Sequence, residues 1–226
     1  YDYAISLYDP ARNFSFIANN TPKLKKDVTE YLITQNSLVY DAPPLISLQD
    51  ANEDVLKAID RPSVPWEAIV KMVNNLKNNL PAEKFRKIEF QCIMGLPGQT
   101  VDSIINSYIK FFEIGVTKST WFSWIFLPNS PAADPAYQKF WGLDIKEVYL
   151  PFESCGVPDL AKLYSELASG ISLTDKFYKM PMVVGHKTMK LLDLWTAQIL
   201  IRKLEDLTSR INLVEKYSSS QVRTIL

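Results

Sequence analysis

Two polar residues at the end of a predicted strand have types and spacing suited to binding a ligand. Ser47 and Gln49 lie two positions apart, so on a strand their side chains share one face. A hydroxyl and an amide both donate and accept hydrogen bonds, which suits a ribose or an amino-acid head group. An equally open alternative is a polar strand end that faces water or caps the helix start at 50–52.

A second candidate is the turn Gly95-Leu96-Pro97-Gly98, which follows a predicted strand. Glycine has no side chain, so the backbone here can approach a ligand closely and hydrogen-bond an adenine edge. No Gly-Lys-Ser/Thr follows, which excludes a P-loop. Taken in isolation, the pattern favours the simpler alternative of a tight strand-to-helix turn.

Few other residues have types suited to catalysis. His186 is the single histidine of the chain; it permits proton transfer, but a hydrogen-bonded structural role is favoured. One histidine excludes a multi-histidine metal site and gives no compelling Ser–His–Asp set. Cys92 and Cys155 show no CxxC spacing, so neither a disulfide framework nor a zinc site is indicated. Cys92 is predicted to lie in the core, and no role is assigned to Cys155.

The elements that position these residues alternate between strand and helix. Apolar segments predict strands at 13–18, 44–49, 88–94 and 120–127, separated by helices, one opening at Thr21 and another closed by Gly115. This alternation indicates an α/β fold with parallel strands, in which ligands bind beyond the carboxyl ends of the strands. After Pro128, the pattern predicts ordered loop with short helices over 129–158, then helices at 159–169 and about 188–207.

The order of the motifs resembles that of radical S-adenosylmethionine (SAM) enzymes, especially the class with an N-terminal cobalamin-binding domain. Segment 46–62 is similar to their "SLQs…neeVLk.IkR" run, and segment 90–100 to "iiGLPGeT". Segment 126–131 resembles the strand exit "LLPNSp", and segment 17–20 the strand end "knN". Segment 183–189, with Asp193, resembles the start of that group's C-terminal extension.

That resemblance implies a partial (βα)6 radical SAM barrel of the TIM-like type, followed by a mostly helical C-terminal extension. The barrel part, about strands 3 to 6, would occupy residues 1–130, and the extension residues 131–226. SAM would bind across the strand tops, with Ser47 and Gln49 near the ribose and methionine moiety and the glycine-rich turn near the adenine. The resemblance implies these cofactor-binding residues: Asn20, Ser47, Gln49, Gly95, Leu96, Pro97, Gly98, Phe126, Leu127 and Pro128.

The implied activity is that of a radical SAM enzyme, in which a [4Fe–4S] cluster cleaves SAM reductively; in the cobalamin class methyl transfer is the common outcome. The CxxxCxxC triad that binds the cluster is absent from this sequence. We therefore expect cluster and cobalamin only with a missing N-terminal segment of the same protein, and an inactive fragment without it. The alternatives are a non-catalytic binding or scaffold homologue and a radical SAM subclass without cobalamin. Gln99 and Asp50 depart from the pattern, replacing an acidic and a small residue respectively.

Composition narrows the choice of partners. Lys plus Arg and Asp plus Glu number 25 each, so no field of one sign draws in nucleic acid or an anionic membrane. From its first residues we expect no leader, and its apolar stretches are too short to span a bilayer. These features predict a cytoplasmic protein that acts on a small molecule or a peptide. Aromatic residues between Trp121 and Phe152 could line a substrate pocket, although such stretches more often form core.

Overall fold

A computed structural model of the 226-residue chain describes residues 19–20, 34, 44–61, 65–151 and 177–210. Within these ranges, four parallel strands form one sheet in the order β1-β2-β3-β4. The strands and the helices that connect them are β1 (Asn19–Asn20), β2 (Leu45–Gln49), α1 (Glu53–Ala58), α2 (Trp66–Asn79), α3 (Ala82–Phe85), β3 (Glu89–Met94), α4 (Val101–Glu113) and β4 (Lys118–Ser123). Strands that follow one another along the chain are neighbours in the sheet, which confirms the predicted α/β fold with helical crossovers.

Local sequence signals set the ends of α4. Thr100 and Ser103 form a capping box: the Thr100 hydroxyl accepts from the Ser103 N–H at 3.1 Å, and the Ser103 hydroxyl accepts from the Thr100 N–H at 2.8 Å. Gly115 follows the helix with a φ of +85°, as predicted for a residue that ends a helix in the left-handed region. The helix is therefore held in place at both ends by residues of its own sequence.

The core lies between one face of the sheet and the helices. In β2 and β3, buried side chains alternate with half-buried ones, so each strand presents a single apolar face. Phe90 of β3 contacts Phe111 of α4 with ring centroids 4.7 Å apart, and burial of each ring contributes about 1.5–3 kcal/mol. Cys92 is fully buried in the same cluster, which confirms its interpretation as a core residue; burial raises the pKa of its thiol.

The chain after β4 differs from the prediction. A 3₁₀ turn (Pro131–Ala133) and α5 (Pro135–Trp141) lead to β5 (Asp144–Pro151), which pairs antiparallel with β6 (Phe177–Gly185). The expectation of loop and short helices over 129–158, and of a mostly helical region over 131–226, was therefore wrong for these two strands. Their pairing joins segments that are distant along the chain, and Pro181 lies inside β6, where proline argues against a strand.

The last described helix, α6 (Leu191–Arg210), returns to the parallel sheet. Ala197, Ile201 and Leu204 are buried in the same cluster as the side chains of β2, β3 and β4. The predicted helix at 188–207 is thus present with slightly later bounds. The predicted strand 13–18, the helix opening at Thr21 and the helix 159–169 lie outside the described residues.

The parallel sheet is also joined to the β5–β6 sheet. Beyond β4, Ile125 forms an antiparallel bridge with Met182, and the Phe126 N–H donates to the Pro181 carbonyl at 2.9 Å. The predicted strand 120–127 is therefore divided: its first part continues the parallel sheet, and its last residues leave to pair with β6. Described residues of both predicted regions, 1–130 and 131–226, share one core.

Candidate functional site at the carboxyl edge of the parallel sheet

The carboxyl ends of β2, β3 and β4 lie side by side along one edge of the sheet. Asp50, just after β2, accepts a hydrogen bond from the Gln99 side-chain amide in the turn after β3. The Trp124 N–H, just after β4, donates to the Met94 carbonyl at 3.1 Å. The segments that carry the Ser-Leu-Gln, Gly-Leu-Pro-Gly and Leu-Pro-Asn-Ser motifs therefore leave the same edge.

Gln99 organises the glycine-rich turn from within. Its Oε1 accepts from the N–H groups of Gly95 and Leu96 at 2.7 and 2.9 Å. Its Nε2 donates to Asp50 and to the Ile93 carbonyl, the latter at 2.9 Å. Because two N–H groups of the turn are already bonded inside the protein, the turn serves first as a tight strand-to-helix connection.

The glycines of this turn adopt left-handed conformations and face other parts of the protein. Gly95 has a φ of +93° and Gly98 a φ of +84°, which residues with side chains rarely adopt. A methyl group on Gly95 would lie 3.4 Å from Leu194 of α6, and one on Gly98 would lie 3.9 Å from the Trp141 ring. Pro97, like Gly95 and Leu96, is buried. The role of these residues towards adenine stays a prediction.

Asp50 was noted in the sequence only because it replaces a small residue of the radical SAM pattern, yet its side chain lies at this edge of the sheet. Its side chain is fully buried, and its Oδ1 accepts from the Asn52 N–H at 2.7 Å and from the Ser107 hydroxyl at 3.2 Å. Burial raises the pKa of this carboxyl, while the hydrogen bonds from Gln99, Asn52 and Ser107 oppose the rise. The carboxyl group thus links the end of β2 to the start of α1, to α4 and to the glycine-rich turn.

The pairing of β2 with β3 is irregular between Ser47 and Gln49. Ser47 pairs with Gln91, but Gln49 pairs with Cys92, so the register skips Leu48. Burial along β2 still alternates, with half-buried Ser47 and Gln49 on either side of buried Leu48, so the joint role of Ser47 and Gln49 towards a ligand stays a prediction. Gln49 also has a φ of +72°, which is uncommon for a residue with a side chain.

Ser47 belongs to a row of half-buried polar groups on the sheet face opposite the core. Its hydroxyl donates to the Gln91 Oε1 at 3.0 Å, and the Thr120 hydroxyl donates to the Glu89 carboxylate at 2.5 Å. Sequence reasoning missed Glu89, Gln91 and Thr120. The signal was the alternation of polar with apolar residues in β3, which gives it one polar face. The row offers hydrogen-bonding groups to any ligand that lies over this face.

Asn20 lies within the parallel sheet, whereas the segment 126–128 lies beyond the end of β4. The backbone of Asn20 is paired with Ile46, three positions before Gln49 and therefore short of the carboxyl edge. Leu127 and Pro128 are exposed, and the Leu127 carbonyl accepts from the Ser130 hydroxyl at 2.7 Å. The cofactor-binding roles of Asn20, Phe126, Leu127 and Pro128 stay predictions.

His186 lies behind the glycine-rich turn. The Thr188 hydroxyl donates to the Gln99 carbonyl at 2.7 Å, and the Thr188 N–H lies 3.3 Å from the His186 Nδ1, which accepts from it. The ring hydrogen is therefore on Nε2, and among the described residues this fully buried atom has no hydrogen-bond partner. Burial, with a smaller effect of Lys190, lowers the pKa of His186 to about 4, so the ring is neutral at pH 7.

Cavities lined by described residues lie beside this edge rather than in it, and the following two are examples. One, of about 270 Å³, lies between β4 and α6; there the Glu205 carboxylate accepts from the N–H and the hydroxyl of Ser119 at 3.1 and 2.9 Å. Burial raises the pKa of Glu205. The other, of about 660 Å³, lies between α1, α2 and α4. Neither is lined by Ser47 or by residues 95–98, so the binding of SAM across the strand tops stays a prediction.

The described residues hold no group of three or more His, Cys, Asp or Glu side chains that could bind a metal ion. Cys92 is enclosed in the core, so its thiol does not fit an iron–sulfur cluster either. Of the helices within the described ranges, none is long and apolar enough to cross a membrane.

Comparison with known proteins gives structural neighbours but no family match. No family model matches the chain, and neither does any curated protein. The structure is similar to coproporphyrinogen III oxidase (HemN) from Escherichia coli, with 16% sequence identity and a TM-score of 0.42, and to the methyltransferase TsrM from Kitasatospora setae, with 12% identity and a TM-score of 0.45. The matches cover 79% and 80% of this chain but 39% and 35% of those two, so the chain spans less than half of either. Both of these neighbours are radical SAM enzymes.

Proposed function

We propose that this chain is the SAM-binding part of a radical SAM enzyme whose iron–sulfur cluster is held by residues outside the sequence. The observation that carries the proposal is the meeting of three motif-bearing strand ends at one edge of a parallel sheet, joined by the Asp50–Gln99 and Trp124–Met94 contacts. Ligands of parallel α/β proteins bind at such an edge. Motifs that are weak singly support a common site because the fold brings them together.

The residues of this chain would bind and orient SAM rather than activate it. The Ser47–Gln91 pair, half-buried on the polar face of the sheet, has hydroxyl and amide groups that suit the ribose and the methionine moiety. The glycine-rich turn and the backbone of 126–128 would lie beside the adenine. In this family bound SAM is the source of a carbon radical. The protein binds, orients and shields the reacting groups.

The finer proposal is cobalamin-dependent methyl transfer to a small molecule or a peptide. It is supported by the resemblance of 126–131 and of 183–189 to the cobalamin-binding class. Cluster and cobalamin would be held by the missing N-terminal segment, since the sequence lacks the CxxxCxxC triad and its described residues provide no metal site. A radical SAM subclass without cobalamin is the alternative. The nature of the domain before Tyr1 in the proposed full-length protein, called the parent below, would distinguish the two.

The test uses the full-length parent, reconstituted anaerobically with iron and sulfide. We expect SAM to bind, measured by isothermal titration calorimetry, and to be cleaved when a reductant is added, measured by chromatography of the products. Ser47→Ala should weaken SAM binding by about tenfold, the loss of one to two hydrogen bonds. Thr196→Ala, a matched change on the exposed side of α6, should leave binding unchanged.

Two results would overturn the proposal. Absence of an upstream CxxxCxxC in the parent reading frame would remove the enzyme assignment. Failure of the reconstituted parent to bind SAM would favour the alternative, a scaffold homologue that has lost catalysis. The chain by itself should bind no iron, and stoichiometric iron–sulfur absorbance from it would contradict the assignment of the cluster to residues outside it.

A further inference from the structure

Asp50 and Gln99, which lie 49 positions apart, form a buried side-chain pair between two strand ends. Both side chains are fully buried. Neither can therefore touch a ligand at the carboxyl edge, and any influence on binding must act through the groups that they hold. Those groups are the N–H donors of the glycine-rich turn and the end of β2.

The hydrogen bonds of the pair fix the chemistry of both residues. A carboxylate accepts only, whereas an amide accepts on one side and donates on the other. The Gln99 Oε1 takes two backbone N–H groups, so its Nε2 must face Asp50 and the Ile93 carbonyl. If the amide flipped, its NH₂ would meet two backbone N–H donors. An acid at 50 and an amide at 99 are therefore matched in one arrangement.

This matching explains two departures from the radical SAM pattern as one exchange. The pattern has a small residue after Ser-Leu-Gln and an acid after Gly-Leu-Pro-Gly, and this chain has Asp50 and Gln99 at those places. Compared with the pattern, the acidic residue of this contact lies at the end of β2 instead of in the turn after β3. The Gln99 Oε1 still accepts from the N–H groups of Gly95 and Leu96, and its Nε2 donates to the Asp50 carboxylate.

Two further contacts extend the pair to other elements. The Ser107 hydroxyl of α4 donates to Asp50 at 3.2 Å. The Thr188 hydroxyl, from the segment that precedes α6, donates to the Gln99 carbonyl at 2.7 Å. The pair thus fixes the spacing of two strand ends relative to the helix behind them and to the C-terminal segment.

We propose that Asp50 and Gln99 are a positioning pair that sets the distance and orientation between the Ser-Leu-Gln strand end and the glycine-rich turn, and so determines SAM affinity. The proposal rests on the function proposed above. It concerns residues that the family resemblance does not assign to the cofactor.

Three variants separate positioning from mere support of the fold. Asp50→Asn sets an NH₂ group against the Gln99 NH₂, and no rotation of either amide satisfies all partners. Gln99→Glu places two carboxylates in contact. The double variant Asp50→Asn/Gln99→Glu restores a donor facing an acceptor and keeps both turn N–H groups bonded; only the Ile93 carbonyl loses its donor.

The experiment measures SAM dissociation constants and thermal unfolding midpoints of the reconstituted full-length parent. We expect each single variant to weaken SAM binding by about 10- to 100-fold, the loss of a charge-assisted hydrogen bond, and the double variant to recover most of that loss. Gln99→Glu should also regain affinity as the pH is lowered from 8 to 5, because one proton shared by the two carboxyl groups restores a donor. If the pair only supported the fold, SAM affinity would not recover in a variant whose thermal unfolding midpoint stays the same.

Each outcome decides between the proposals. If the wild-type parent does not bind SAM, the proposed function fails. If the wild type binds SAM and the folded single variants bind it equally well, or the folded double variant binds no better than they do, the positioning pair fails. If the single variants do not fold, the double variant is compared with wild type directly. If the double variant also fails to fold, Thr188→Val decides: it removes the contact to the Gln99 carbonyl and leaves both side chains in place, and unchanged SAM affinity would overturn the pair.

Discussion

Lowering the pH from 7 to 4 should destabilise the protein through His186. The ring is buried and neutral, its Nδ1 accepts from the Thr188 N–H, and its pKa is lowered from 6.5 to about 4. In the unfolded chain, the same imidazole takes up a proton near pH 6.5. At this residue the unfolded state therefore binds more protons than the folded state between these two values, and the contribution of His186 to stability must fall as the pH decreases through that window.

The magnitude follows from the size of the pKa change. A shift from 6.5 to about 4 corresponds to a loss of up to about 3 kcal/mol, fully present below pH 4 and absent above about pH 7. This is a large part of the 5–15 kcal/mol typical of a folded domain. Because the pKa values of Asp50 and Glu205 are raised by burial, acidification affects these carboxyls too, and the effect of His186 is the difference between the wild type and a variant that lacks the imidazole.

The assay is urea unfolding at pH 7, 6, 5 and 4, followed by circular dichroism, for the wild type and for His186→Asn. The asparagine Oδ1 can replace the Nδ1 as an acceptor from the Thr188 N–H but does not titrate. We expect the variant to be less stable at pH 7, because the smaller side chain leaves a void, and to lose up to about 3 kcal/mol less than the wild type on acidification. Thr188→Val is the control, since it removes the hydroxyl that lies 3.1 Å from the His186 Nδ1 but keeps the Thr188 N–H, the imidazole and hence the pH dependence.

Parallel pH profiles for the wild type and His186→Asn would refute this reasoning. They would mean that the imidazole is charged as easily in the folded state as in the unfolded one. A constant difference in the free energy of unfolding between the two proteins at all four pH values, whatever its sign, would therefore count against the reasoning.

Three other substitutions test the packing around the site, each by the change in the free energy of unfolding at pH 7. Gly95→Ala should cost about 1–3 kcal/mol, because its φ is +93° and the new methyl group would lie 3.4 Å from Leu194. Glu205→Ala should cost about 1–3 kcal/mol by leaving the Ser119 N–H without its carboxylate, and Glu205→Gln, which keeps an acceptor, should cost less. Ile104→Ala should cost about 2–5 kcal/mol, because this side chain is fully buried in the core.

Elements with strong local signals could be predicted from the sequence. The strand 88–94 and the helix that ends before Gly115 were found close to their predicted positions, because apolar periodicity and a glycine at the helix end act within a few residues. The pairing of β5 with β6 could not be predicted, since each strand depends on a partner distant in sequence. Pro181, in the middle of β6, even argued against it.

The candidate site was predicted in position but not in its contacts. The rule that ligands meet the carboxyl ends of parallel strands located Ser47 and the turn 95–98 at one edge. It could not reveal the irregular pairing between Ser47 and Gln49, because a register shift depends on the neighbouring strand. Nor could it pair Asp50 with Gln99; each was visible only as a separate departure from a motif, and their contact exists only once β2 and β3 are adjacent.

The return of α6 to the parallel sheet has a practical consequence for anyone who shortens this protein. A gene cut near residue 130 would remove Leu194 from above Gly95 and the Glu205 carboxylate from the Ser119 N–H. The remnant would present bare apolar surface and an unshielded strand, a template for aggregation. The two parts should therefore be cloned and expressed as one chain, and a chain cut near residue 130 should be insoluble.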